Sequence, residues 1–107
     1  MYDRMVGTPM RLEYREIEAI RAAVREVFGD RATVRLFGSR VRDTQRGGDI
    51  DLFVEVDSGD ASIANEQRLR DGIAPAVDDL RVDIVLHERG TPLTPIERIA
   101  LRDGVLL

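Results

Sequence analysis

Eight consecutive residues, Asp49 to Val56, alternate strictly: Ile50, Leu52, Val54 and Val56 fall on one side, and Asp49, Asp51, Phe53 and Glu55 on the other. A period of two belongs to a β-strand, so this segment buries one face and carries carboxylates on the opposite one. A strand with so apolar a face needs partner strands beside it and a covering layer over it.

The rest of the chain supplies both. Thr8-Pro9 offers a side-chain cap and a proline for a first helical turn, and Ile17, Ile20, Val24 and Val27 then recur at helical spacing as far as Phe28, where Gly29-Asp30 ends the helix. Thr33 to Phe37 is β-rich and predicts a strand running into Gly38-Ser39. Asp60 is the expected cap of a helix from Ala61, with Ile63, Leu69 and Ile73 as its apolar face and with Gly72 and Pro75 weakening it and splitting it near its end. Arg81 to Leu86 alternates again and predicts a third strand. Thr94-Pro95-Ile96-Glu97 is a capping box with proline just inside, so a last helix runs from Pro95 to Asp103 and stops at Gly104. Strands alternating with helices make a small α/β (α+β) fold with helices packed on the sheet.

The 107 residues leave room for one core, and neither a repeat nor a low-complexity linker interrupts them, so residues 1–107 are expected to form a single domain with 1–8 as a loose N-terminal segment. A separate substrate domain is excluded on length. With 43% hydrophobic and 34% charged residues, the composition is that of a globular chain and not of a disordered tail or a membrane span. The opening residues lack the apolar run of a secretory signal, which makes the cytoplasm the expected compartment. Absence of Cys removes disulfides, thiolate zinc sites and thiol chemistry. All 16 basic residues are Arg and are outnumbered by 20 acids, a balance that argues against wholesale coating of a nucleic acid while leaving room for a local basic patch, so neither direct nucleic-acid binding nor a membrane is expected.

Three features point to phosphate and metal chemistry together. Gly38-Ser39 ends a strand, where glycine lets a phosphate approach the backbone and a hydroxyl can donate to it; an ordinary turn would look the same. Asp49 and Asp51 stand on one face of a strand about 7 Å apart at Cα, and they repel each other unless a cation lies between them. Mg²⁺ suits such a pair, although a solvated strand face is the plain alternative. Asp83 sits opposite Val82 and Ile84, on the side the aspartate pair could share, and would be costly to bury without a partner or a metal. The segment from Arg35 to Gly48 adds a basic stretch, with Arg35, Arg40, Arg42 and Arg46 against Asp43; Arg40 and Arg42 are the candidates for phosphate contact.

Gly38-Ser39, nine residues, Asp49-Ile50-Asp51-Leu52 and then Val82-Asp83-Ile84-Val85 together resemble the nucleotidyltransferase superfamily that shares the DNA polymerase β palm fold. The close at Gly104-Val105-Leu106-Leu107 is similar to the minimal nucleotidyltransferase branch. The resemblance implies a small mixed sheet with packed helices, an ATP or other nucleoside triphosphate substrate, and two Mg²⁺ ions, with Mn²⁺ as a substitute. It implies that Gly38 and Ser39 hold phosphates with Arg40, Arg42 and Gly48 in the nucleotide site. Asp49, Asp51 and Asp83 would be the metal-binding and catalytic carboxylates, Asp83 also assisting removal of the acceptor proton. The chain departs from the small branch at Asp43, where Gly is frequent, and at Gly48, where Ser or Thr is frequent.

Members of that branch are often antitoxins of HEPN-domain ribonucleases, so the resemblance further implies adenylyl transfer (AMPylation) to a tyrosine of a partner HEPN toxin, within a homo- or hetero-oligomer. A binding-only antitoxin and nucleotidyl transfer to a small molecule or RNA are the competing functions. His87, the only histidine, is expected at a surface or strand end, and Tyr2 and Tyr14 in packing or surface roles. Glu18 and Arg21 should pair on a solvated helix face, and Asp78 and Asp79 form a turn.

Overall fold

The computed structural model describes residues 13–38, 49–77 and 81–107 of the chain. Their elements follow the order α1 (Tyr14–Phe28), β1 (Thr33–Phe37), β2 (Asp49–Val56), α2 (Ile63–Val77), β3 (Arg81–Glu88), α3 (Pro95–Asp103) and β4 (Val105–Leu106). The strands form one mixed sheet in the order β3-β2-β1-β4. β1 runs antiparallel to β2 and to β4, whereas β2 and β3 are parallel and joined through α2. This is the small α/β fold with a mixed sheet expected from the pattern and the resemblance.

The alternation of β2 decides which helix goes where. Its apolar side, Ile50, Leu52, Val54 and Val56, is fully buried with Leu36 under α1 and α2, which contribute Ile17, Ile20, Val24, Leu69 and Ile73. Each fully buried Leu or Ile contributes about 1.5–3 kcal/mol, so this layer dominates the fold's stability. The other side is covered only in part. Phe53 and Phe37 pack there with Ala100 of α3 and with Val85, Leu93 and Leu101.

Several boundaries differ from the sequence reading. Glu13, in extended conformation, is the N-cap of α1, and a capping box with Glu16 starts the helix at Tyr14 instead of Pro9; Thr8-Pro9 and Tyr2 lie outside the described residues. Ser62 caps α2, its hydroxyl accepting from the Asn65 N–H at 3.1 Å, while Asp60 contributes only backbone and carbonyl contacts. Ile63 is 88% exposed and no part of an apolar face, which consists of Leu69, Ile73 and Val77. Gly72 and Pro75 do not split α2: Gly72 faces Ala23 so closely that a Cβ would come within 3.3 Å of it, so glycine lets the helices approach. β3 continues two residues beyond Leu86, and β4 was not anticipated, since two residues are too short to show a period. Asp78 and Asp79 are outside the described residues. α3 matches its expected limits, with the Thr94 hydroxyl accepting from Glu97 and Glu97 accepting from the Thr94 N–H.

Candidate active site

Strand register places the acidic residues in rows on one face. Asp49 lies beside Arg81, Asp51 beside Asp83, Phe53 beside Val85 and Glu55 beside His87. On the other flank β1 sets Phe37 next to Asp51, Arg35 next to Phe53 and Thr33 next to Glu55. Asp51 and Asp83 thus project from neighbouring parallel strands whose backbones are about 4.8 Å apart. The sequence expected Asp83 to share the aspartates' side, and it does.

Its environment differs from the expectation in one respect. Asp83 is exposed, because β3 is the edge of the sheet, so burial cost is not what calls for a cation there. Its register neighbour Asp51 is a like charge, and a cation between the two would relieve that repulsion. Asp51 is half-buried and is engaged in the fold's polar contacts. For Asp49 the backbone register is described and the side chain is not.

Gly38 closes the site from the β1 side. Its φ of 83° lies in the left-handed region that favours glycine, and a Cβ built there would collide with the Asp51 carboxylate. Gly38, at the end of β1, therefore rests directly on the second aspartate. Ser39, Arg40, Arg42, Arg46 and Gly48 lie outside the described residues.

Arg35 does not belong to the basic loop. It points along the same face toward the opposite end, where its guanidinium donates to Glu55 at 3.3 Å. In the sequence the stretch after Gly38 keeps Arg40, Arg42 and Arg46 against Asp43. His87 lies at the end of β3 as expected but not on the surface: it is 6% exposed, stacked on Phe53, with Nε2 3.0 Å from the Thr91 carbonyl and Nδ1 3.8 Å from Glu55. Glu18 and Arg21 pair as expected at 3.4 Å, and Tyr14 is on the surface.

Among the described residues, no group of three His, Cys, Asp or Glu side chains converges as a metal cage. The two described carboxylates nonetheless have the right chemistry for a hard divalent cation: oxygen donors on adjacent strands, beside a glycine that leaves room for one of them, with neither thiol nor imidazole at hand. A cavity of about 170 Å³ lies between the end of α1 and the start of β1, lined in part by Val24, Gly29, Thr33 and Leu106. It is at the other end of β1 from Gly38, and its two arginines already pair with Glu18 and Asp30.

Residues 17–106 match the family model of the nucleotidyltransferase domain. The chain belongs to the nucleotidyltransferase domain family. No curated protein matches it. Nucleotidyl transfer is the family's general reaction, and a nucleoside triphosphate is the implied substrate. No helix of the described residues is long and apolar enough to cross a membrane.

Sequence reasoning missed Arg81 as a member of this nucleotidyltransferase face. Alternation assigned it to the same side as Asp83, but only the register shows that it neighbours Asp49. It also missed Arg70 of α2, which donates to the Val82 carbonyl directly before Asp83. No spacing signal could have found that contact, since it depends on how α2 packs.

Proposed function

We propose that this nucleotidyltransferase catalyses metal-dependent adenylyl transfer from ATP to a hydroxyl, a tyrosine of a HEPN-domain partner, and acts as that toxin's antitoxin. The observation that carries the reading is the Asp51–Asp83 row beneath the Gly38 turn. Two carboxylates side by side weaken an empty fold and stabilise a loaded one, which is the electrostatic pattern of a cation site.

In this reading the turn at Gly38 and Ser39 binds the β- and γ-phosphates, helped by Arg40, Arg42 and Gly48, and the guanidinium groups offset triphosphate charge. Asp51 and Asp83, with Asp49 as third member, hold two Mg²⁺ ions, and such ions when bound neutralise the phosphates and polarise the reacting oxygens. Asp83 takes the proton of the acceptor hydroxyl. The acceptor oxygen forms its bond to the α-phosphorus as the bond to the β-phosphate oxygen breaks, and pyrophosphate leaves in line.

The edge position of Asp83 favours a macromolecular acceptor. Among the described residues nothing of this chain lies outside β3 in the sheet, so a partner's side chain can reach the carboxylate from the open edge. The test incubates the chain and its HEPN partner with labelled ATP and Mg²⁺, beside the Asp49→Ala/Asp51→Ala variant. Label on a partner tyrosine with the native chain alone supports the proposal. Equal neutralisation by both forms without label overturns it in favour of binding alone, and label on RNA or a small molecule reassigns the acceptor.

A further inference from the structure

Among the described residues strand β3 has a ladder partner on one side only, so half of its backbone groups need other satisfaction. At Val82 that satisfaction comes from α2. The Arg70 guanidinium donates through Nη1 to the Val82 carbonyl and through Nη2 to Glu66 at 2.9 Å. Glu66 stands one turn before Arg70, the favourable order for an i,i+4 pair, and both side chains are about one-third exposed. One prong of a planar fork is therefore fixed by its own helix while the other reaches the strand.

The bonded carbonyl belongs to the peptide unit that joins Val82 to Asp83. That unit is planar, so holding its oxygen fixes the plane from which the Asp83 Cα and its side chain depart. Among the described residues no second strand flanks Asp83, and its own side chain is exposed. We infer that Arg70, braced by Glu66, is a positioning residue for Asp83, holding the edge carboxylate in register with Asp51 so that the pair can share a cation. The role rests on the proposed metal site, whereas the contact itself is independent of it. Arg68, on the same helix, bonds only to Asn65 and serves as the control.

The test uses the full chain as wild type, Arg70→Met, Arg70→Lys and Arg68→Met. Affinity for Mn²⁺ with a non-hydrolysable ATP analogue is measured by calorimetry, and amide exchange in β3 and the melting temperature are measured without metal. Arg70→Met should weaken Mn²⁺-nucleotide binding about 10-fold, the loss typical of an outer-shell partner, and should speed exchange at Asp83 and Ile84. Arg70→Lys should recover part of the affinity, and Arg68→Met should bind as wild type. A merely structural role would lower the melting temperature without weakening binding to the folded protein. Wild-type binding with an unchanged Arg70→Met affinity overturns the positioning role and leaves the site intact; a wild type that binds neither Mn²⁺ nor nucleotide overturns both.

Discussion

The two ends of one sheet face carry the same kind of residue and treat it in opposite ways. At one end Glu55 meets the Arg35 guanidinium at 3.3 Å and the Thr33 hydroxyl at 3.5 Å, with His87 stacked on Phe53 alongside. At the other end the residue across from Asp51 is a second carboxylate, Asp83, and a glycine without a side chain lies against it. Phe53 and α3 separate the two ends with an apolar band. A carboxylate paired with a guanidinium contributes to stability, whereas a carboxylate set beside a second one is a pair that a cation would relieve. The proposed function uses the acidic end with Gly38, and the contacts of the Glu55 end serve the fold.

That contrast breaks first at Asp51 and Asp83. Asp51→Asn and Asp83→Asn should each lower nucleotidyl transfer by more than about 100-fold, beyond what loss of an outer-shell partner costs. Asp83→Asn should not lower the metal-free melting temperature, because Asp83 is exposed and the change removes one of two neighbouring like charges. Transfer of labelled nucleotide and thermal melting measure the two effects, and a large drop in melting temperature would mean that the pair is structural after all. Gly38→Ala comes next. Its φ of 83° costs a side-chain-bearing residue roughly 1–2 kcal/mol, and its new Cβ would push on Asp51, so transfer should fall about 10-fold through misplacement of the aspartate.

Much of the open end was legible in the sequence because alternation and spacing act locally. The period of two in β2 fixed which side Asp49 and Asp51 occupy, and the Thr94-Glu97 box fixed where α3 begins. The closed end was not legible, because it depends on register and packing. Nothing in the string says that Arg35, two residues before Phe37, will pair with Glu55 instead of joining the basic loop. His87 beside Glu88 looks like a polar strand end, yet the parallel register puts it under Glu55 and against Phe53. The cap of α2 moved from Asp60 to Ser62 because both residue types cap well and only the chain's turn at Asp57–Asp60 selects between them. β4 escaped notice since it exists only through its pairing with Arg35 and Leu36.

Glu55→Ala sharpens the comparison from the closed end. It removes the partner of the half-buried Arg35 and the nearest acid to His87, and leaving such groups unanswered costs about 2 kcal/mol. A domain of this size should then melt about 10 °C lower. Below that temperature its transfer rate should equal that of the wild type, and a rate loss comparable to Asp51→Asn would show that the two ends work as one site.

The smallest effect belongs to Thr91, which closes the same end from the turn after β3. Its hydroxyl donates to the Glu88 carbonyl at 2.7 Å and lies 3.2 Å from His87 Nε2, while its carbonyl meets the same nitrogen at 3.0 Å. Thr91→Ala keeps the carbonyl and removes only the hydroxyl, so His87 retains one partner and the loss should be about 0.5–1 kcal/mol with transfer unchanged. Double-mutant analysis with Glu55→Ala tests whether these contacts form one unit: both groups flank the same imidazole, so their destabilisations should fall short of additivity. Simple addition would mean that the imidazole does not link them, and that stacking on Phe53 alone holds the closed end together.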